Sequence, residues 1–565
     1  MKFWALPAIH YHEIHMSSNA HVVSEKHGGH MHGREVEWQL ACPDLDSVRS
    51  WLSEHSTIDG LVLEPQPALQ ILDTYLDTDD WRFHRAGFAL RIRSAAGKSE
   101  ATLKSLHSAS AEFADRRELS QPLEDSTSES IQQSMGPVGT RVHAVSGAHA
   151  LLPLFEVRTA RQRYSIRRHD EVQKLGEIAL DATTISRPSG ELRTSMQRVE
   201  VEALTAVHEP LQSLVKTLQS DCALEKASDT KYSQGLKSVG LAPGPAPAFA
   251  PTAVDASMSI VAVALANLRR HATAWHLHEP GARLGDDPEE LHDLRLAARR
   301  LDAMLREFQL FLPGSLLRSR PTLKKILRAL GEARDLDVAA EELETFSRQL
   351  PESDQSSVEP LKQHLVRERE RVRTRMMAVL DSDKVQKTLQ KLSERLAEPA
   401  EVSRSAPAES ALQVLPDMIR RRYRKVRKGA GRLTPKSSAE AYHEVRGRVK
   451  KLRYALEAVA GIYGKPVDDM LRALRRWQEK LGVQQDAAVA SRRLKALAAA
   501  PPKDFPAATL FLMGRLVAHY EGTAAHARKV YTKSRQKVRK NWKKLRTRLE
   551  DRAASTAPAA ADSAP

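Results

Sequence analysis

Two patterns of apolar and polar residues divide this chain. From residue 34 to about 240 the pattern has a period of two. Val36, Trp38 and Leu40 share one face of a first strand while Glu35, Glu37 and Gln39 share the other, since side chains at i and i+2 point to the same side. The alternation returns with Arg91 and Arg93 around Ile92, Thr102 and Lys104 around Leu103, Arg161 with Arg163, Glu177 with Asp181, and Glu200 with Glu202 between Val199 and Val201. From residue 258 onward apolar positions recur about every 3.6 residues, which predicts amphipathic helices. Between the two, residues 241–257 carry Pro243, Pro245, Pro247 and Pro251. That stretch holds neither pattern and predicts an extended, semi-stiff linker.

The helical part repeats itself. His292-Asp-Leu-Arg295-Leu-Ala-Ala-Arg299-Arg300-Leu301 returns as His443-Glu-Val-Arg446-Gly-Arg-Val-Lys450-Lys451-Leu452, an offset of 151, and Leu330, Gly331 and Asp335 return as Leu481, Gly482 and Asp486. One supersecondary unit has been used twice. On a helical wheel Leu294, Ala298, Leu301 and Leu305 form an apolar side, with His292, Arg295, Arg299 and Arg306 beside it and Arg300 on the opposite flank. A solvated face predicts that basic positions drift between copies. Instead Arg295, Arg299, Arg300, Lys324 and Lys325 reappear as Arg446, Lys450, Lys451, Arg475 and Arg476, which favours a ligand surface that one long anion crosses in both copies. His292 and His443 fit that surface or a helix-end role equally.

Charge sharpens the division. Residues 31–240 hold 24 Lys and Arg against 30 Asp and Glu, net −6, whereas 241–565 hold 61 against 39, net +22. A basic half of that size points to a polyanion, whether nucleic acid, anionic membrane or a phosphate polymer. With 565 residues and 41% apolar content the chain has material for two or three cored domains. No stretch reaches the roughly 18 apolar residues of a membrane span, and no apolar signal core opens the chain. Cys42 and Cys222 are the two cysteines, so a disulfide framework is not expected and a reducing, cytoplasmic setting is. Residues 1–33 include His10, His12, His15, His21, His27, His30 and His32 without the spacing of a known metal-ligand set. They read as a solvated extension, as do the Ala, Ser and Pro of 551–565.

In the first half the polar strand faces are sorted by sign, some all acidic and others all basic. An ordinary half-solvated sheet and a closed barrel with charged stations inside both accommodate this. Glu35-Val-Glu37-Trp-Gln39 resembles the opening of the CYTH superfamily, the triphosphate tunnel metalloenzymes. Tyr75-Leu-Asp77-Thr78, Gly87-Phe-Ala-Leu-Arg91-Ile-Arg93, Thr102-Leu-Lys104, Arg116-Arg-Glu118, Arg161-Gln-Arg163-Tyr164, Glu177-Ile-Ala-Leu-Asp181, Glu200-Val-Glu202 and Lys231 with Gly235 follow in that family's order. The resemblance implies an antiparallel eight-stranded β-barrel around a tunnel that binds triphosphate and a divalent metal. Glu35, Glu37, Glu200 and Glu202 are then the candidates for Mg²⁺ or Mn²⁺, hard cations that take oxygen ligands. Arg91, Arg93, Lys104, Arg161, Arg163 and Lys231 are the phosphate-binding candidates, and Glu35, Glu37, Arg91, Arg93 and Lys104 the catalytic ones. Gln39 departs from the family, which has lysine there; an amide can hydrogen-bond a phosphate without offsetting its charge, which leaves reduced turnover or binding alone open while the expected fold stands.

The repeated stretch, with Leu330-Gly331-Glu-Ala-Arg334-Asp335-Leu-Asp337-Val338, resembles the CHAD domain. That resemblance implies an all-α domain of two repeated four-helix bundles and inorganic polyphosphate as ligand; Gln485 and Ala488 depart where Arg334 and Asp337 stand in the first copy. The expected organisation is an α+β multidomain chain. It has a His-rich extension over 1–33, a triphosphate tunnel domain over 34–240, a linker over 241–257, a helical domain over 258–550 with halves near 258–395 and 411–550, and a tail over 551–565. The expected function is a metal-dependent inorganic triphosphatase with a polyphosphate-binding module, cytoplasmic and able to associate with polyphosphate granules. Two alternatives stand beside it: a barrel with little or no turnover in a polyphosphate-binding or granule-associated protein, and a triphosphatase acting on ATP or thiamine triphosphate. Nucleic acid fits less well, since no recognised nucleic-acid motif accompanies the charge.

Overall fold

A computed structural model describes residues 31–107, 114–205, 208–244, 247–398, 409–434 and 436–554. The histidines up to residue 30 and the tail from 555 lie outside the described residues. The period-two region forms β1 (Met31–Ala41), β2 (Thr57–Ile58), β3 (Leu61–Asp77), β4 (Phe88–Ala95), β5 (Lys98–Ser105), β6 (Ala114–Leu123), β7 (Leu152–Arg168), β8 (Lys174–Ser186), β9 (Leu192–Ala203) and β10 (Glu225–Lys226). They build one antiparallel sheet in the order β10-β1-β6-β5-β4-β3-β7-β8-β9, with β2 beside β3, and β1 also pairs with β9. The sheet therefore has ten strands where eight were expected. β2 and β10 are two residues long, too short for alternation to reveal.

The chain divides into two compact units. The first comprises residues up to Leu76 with Ala89–Thr140 and Pro153–Leu241; the second comprises Asp77–Phe88, Arg141–Leu152 and everything from Ala242. In the first unit Val36, Trp38 and Leu40 bury against Leu45, Val48 and Leu52 of the helix Leu45–Glu54 and against Leu211, Leu214 and Leu218 of the helix Glu209–Asp221. Each such aliphatic side chain contributes about 1.5–3 kcal/mol of burial. Helix α1 (Lys231–Val239) starts at Thr230, whose hydroxyl accepts from the Ser233 N–H. It lies so close to the sheet that a Cβ on Gly235 would fall 2.1 Å from the Phe155 ring. This gives the glycine of the sequence pattern a steric reason.

The longer helices of the second unit are α2 (Ile260–Leu284), α3 (Pro288–Glu307), α4 (Arg320–Ser347), α5 (Glu359–Leu380), α6 (Asp383–Ala397), α7 (Ala411–Arg432), α8 (Ala439–Glu457), α9 (Lys465–Ala499) and α10 (Ala507–Ala554). The offset of 151 carries α2, α3 and α4 onto α7, α8 and α9, while α5 and α6 both fall within α10. Buried apolar residues from Ile260 to Leu549 join one cluster, so the halves share a core. Among the described residues no helix is long and apolar enough to cross a membrane, and those of the linker form neither helix nor strand.

Buried charges hold the two inserted segments of the second unit. Arg82 pairs with Glu279 on α2 and donates to the Val145 carbonyl, and Glu279 also accepts from Arg283, whose Nη1 lies 2.7 Å from Asp381. Burial pushes the Glu279 carboxyl up, but Arg283 and Arg82 outweigh it and bring it down to about 2. The stability this pair adds is therefore present above the ordinary glutamate value near 4.5 and is lost as pH falls toward 2. Removing one member leaves a buried charge uncompensated, so Glu279→Gln should destabilise the full chain by about 3–5 kcal/mol. Urea unfolding at neutral pH checks this; an unchanged midpoint would show the network to be incidental.

Candidate functional site

The polar strand faces of the first unit are buried, not solvated. Glu37 is 5%, Asp73 1%, Asp181 0%, Arg198 5% and Glu200 8% exposed, which a sheet with one face in water does not show. Register explains how the charges meet. Glu37 on β1 stands opposite Glu202 on β9, and Gln39 opposite Glu200. Glu177 on β8 also faces Glu202, and Asp181 faces Arg198 and, on the other side, Arg161 of β7. Asp73 on β3 faces Arg93 of β4, and Lys104 on β5 faces Glu118 of β6.

Several contacts reach past the neighbouring strand, so the face is concave. Lys104 on β5 donates to Glu37 Oε1 on β1 at 3.1 Å, Arg91 on β4 lies 3.5 Å from Glu118 on β6, and Arg161 on β7 donates to Glu200 on β9 at 2.6 Å. Arg93 forks onto Asp73 at 2.7 and 2.9 Å, and Arg161 forks onto Asp181 at 2.7 Å on both arms. Lys231 enters from the first turn of α1 and reaches Asp181 at 2.5 Å and Glu200 at 3.0 Å. Arg163 sits 3.6 Å from Glu177. All six phosphate-binding candidates thus lie among carboxylates on one concave surface.

Electrostatics separates those carboxylates into two kinds. Burial raises the Asp73 carboxyl, but Arg91 and Arg93 overcome it and set it at about 2. Burial likewise opposes Glu200, which Lys231, Arg161 and Lys104 nonetheless hold well below the usual carboxylate range. Glu202 is the opposite case: burial, then the charges of Glu37 and Glu118, raise it to about 7 against the pull of Lys104. Around Glu202 negative charge is in surplus, whereas Glu200 is already neutralised by its own cations.

Of the four metal candidates, Glu35 faces Arg116 by register, but its side chain lies outside the described residues. Glu37 and Glu202 share the acidic cluster, which suits a hard divalent cation. Among the described residues the one group of three donor atoms within 4.8 Å of one another is Asp79, Asp80 and His149 in the second unit; Glu37, Glu200 and Glu202 are not gathered so tightly. Sequence reading passed over Asp73 and Arg198. Both alternate correctly with their neighbours, and only register shows that they face the cluster.

In the second unit the two basic rows meet. Burial, followed by the charges of Arg446, Arg299 and Arg295, pushes the Lys450 amine down to about 7, so Arg295 and Arg299 of α3 and Arg446 and Lys450 of α8 act on one another. The repeat preserves the partners: Arg295 lies 3.6 Å from Asp335, and Arg446 lies 3.5 Å from Asp486. It preserves the packing as well, for a Cβ on Gly331 would lie 3.6 Å from the Arg295 guanidinium and one on Gly482 3.3 Å from that of Arg446. Arg300 and Arg475 each approach Glu457 at 3.7 Å. His292, His443, Lys324, Lys325, Lys451, Arg475 and Arg476 are exposed.

Comparison with known proteins agrees with this division. The CYTH domain family matches residues 54–235 and the CHAD domain family residues 266–495; β1, with Glu37 and Gln39, lies ahead of the first match. No curated protein sequence matches the chain. Among solved structures, the CHAD domain from the plant Ricinus communis is 24% identical, covering 52% of this chain and 97% of its own, with a TM-score of 0.44. PptA from Streptomyces chartreusis is 20% identical, covering 49% and 99%, with a TM-score of 0.39. A Hippeastrum protein described as a candidate adenylyl cyclase with a dominant triphosphatase activity is 17% identical, covering 37% and 97%, with a TM-score of 0.29. The chain carries a CYTH domain over residues 54–235 followed by a CHAD domain over residues 266–495.

Proposed function

We propose that the first unit is a metal-dependent inorganic triphosphatase and that the second binds polyphosphate. One observation carries the first part: Arg91, Arg93, Lys104, Arg161, Arg163 and Lys231 gather with buried carboxylates on one concave polar surface, and the pairing of β1 with both β6 and β9 supports a sheet that wraps round it. Triphosphate carries several negative charges that must be met before water can attack a terminal phosphorus. The guanidinium forks of Arg93 and Arg161 are held by Asp73 and Asp181, so they need little reorganisation to receive phosphate oxygens. Lys104 and Lys231 add point charges from opposite sides.

Glu37 and Glu202, with Glu35, would hold a divalent ion; burial and then the charges of Glu37 and Glu118 raise Glu202 to about 7, and a cation among those acids would relieve both. That ion, when bound, polarises the phosphate and lowers the proton affinity of water. Glu200 is committed to Arg161 and Lys231 and serves to orient those cations. Phosphate release from triphosphate, ATP and thiamine triphosphate, each with Mg²⁺ and with Mn²⁺, tests the reading. Release that needs no metal, or none from any substrate, would reject it.

Polyphosphate binding by the second unit rests on the four cations that converge from α3 and α8. It has a pH signature. In the free chain Lys450 is deprotonated between about 7 and its ordinary 10.5, while the unfolded chain keeps that proton, so through this window the contribution of Lys450 to stability grows with pH. A bound polyanion favours the charged amine. Binding at pH 8 should accordingly take up about one more proton in the wild type than in Lys450→Met, as read by calorimetry in two buffers of different ionisation enthalpy. Equal uptake in both proteins would remove Lys450 from the site.

A further inference from the structure

We propose that Arg198 contacts the bound triphosphate and supplies from β9 the positive charge that Gln39 does not supply from β1. The proposal rests on the triphosphate reading of the first unit. Arg198, Glu200 and Glu202 share one face of β9, and the β1–β9 register sets Gln39 opposite Glu200 and Ala41 opposite Arg198. Arg198 is therefore the diagonal neighbour of Gln39 on the same face, about 7–8 Å away by strand geometry, within reach of one phosphate group. Gln39 itself is turned elsewhere, its Nε2 donating to Glu37 Oε1 at 2.8 Å.

The charge on Arg198 lacks a dedicated partner. The side chain is 5% exposed, and its Nη1 has no hydrogen-bond partner among the described residues. The carboxylates that act on it most are Glu200, Asp229 and Glu37, and each is already engaged. Glu200 receives Arg161 and Lys231, Glu37 receives Lys104 and Gln39, and Asp229 receives Lys237 at 2.8 Å. Arginine cannot shed its proton to escape this position. A buried cation without its own anion is costly, and a phosphate oxygen is the kind of acceptor that relieves it. A purely structural role would leave Nη1 bonded to a backbone carbonyl, as the guanidinium of Arg269 is to that of Leu396 at 2.8 Å.

The test uses the full chain, with inorganic triphosphate as ligand and Mn²⁺-dependent phosphate release as a second readout. Arg198→Gln should weaken triphosphate binding by about 10–100-fold, the size of one lost charge-assisted contact, while Arg198→Lys retains most of it. Gln39→Lys should tighten binding far more in the Arg198→Gln background than in the wild type, because the two cations serve the same charge. A structural arginine would instead lower the melting temperature and would not be rescued from position 39. Should Arg198→Gln fail to fold, Arg198→Lys with and without Gln39→Lys gives the same comparison. Wild-type binding in Arg198→Gln, or an equal gain from Gln39→Lys in both backgrounds, overturns the assignment. A wild-type chain that neither binds nor hydrolyses triphosphate overturns the functional reading, and this inference with it.

Discussion

Replacing Glu37 with glutamine should reduce metal-dependent phosphate release from triphosphate by on the order of 10²–10³-fold, the scale of losing one pre-set electrostatic element of a catalytic site. The substitution keeps the shape of the side chain and an oxygen for Lys104 Nζ and Gln39 Nε2, which lie 3.1 and 2.8 Å from Glu37 Oε1. It removes the charge that, with Glu202, favours a divalent cation. Lys104 retains Glu118 at 3.6 Å, so no cation is left stranded and the melting temperature should change little. Turnover equal to wild type in a folded variant would mean that the metal site is not on β1.

The second large effect is expected in the helical unit. Removing Arg295 with Arg299, or Arg446 with Lys450, as glutamine pairs should weaken even a short oligophosphate by on the order of 10²–10⁴-fold, since two charged contacts of about 1.5–3 kcal/mol each disappear. The basic rows of the two copies lie on adjacent helices, α3 and α8, where Arg300 approaches Glu457 at 3.7 Å and Arg295, Arg299, Arg446 and Lys450 act on one another. On the polyphosphate reading one short ligand would meet both. Either pair change should therefore act on short and long ligands alike. Glutamine at the exposed Lys324, Lys325, Arg475 and Arg476 should instead spare the short oligomer and cost the long polymer its extra affinity, which comes from linked contacts. Affinity in all cases should fall steeply with salt. Short-oligomer binding that survives both pair changes would transfer the role to the cations of α10.

Much of this was legible because periodicity survives in a linear sequence. The strand faces, the repeat with its offset of 151 and the cation sets are patterns between near neighbours or between copies. What alternation does not contain is register. Asp73 and Arg198 alternate as properly as any strand residue, yet their roles appear only when β3 is laid against β4 and β9 against β1. Glu200 illustrates the same limit from the other side. Beside Glu202 it reads as an equal metal candidate, but Arg161 from two strands away and Lys231 from a helix neutralise one carboxylate and leave its neighbour crowded by acids. The two-residue strands and the Arg82–Glu279 pair depend on contacts that no local pattern announces.

The segments Asp77–Phe88 and Arg141–Leu152, which fold with the helical unit, also order events during synthesis. Arg82 leaves the ribosome 197 residues before its partner Glu279. At about 5–20 residues per second this is a wait of roughly 10–40 s, during which the connection between β3 and β4 lacks its ion pair to α2. A nascent chain released at Leu241 would contain every strand but would present Arg82 without its counter-ion. Limited proteolysis of that fragment should cut within 77–88, where the full chain resists. Equal resistance would show that the sheet secures its own connection before the helices are made.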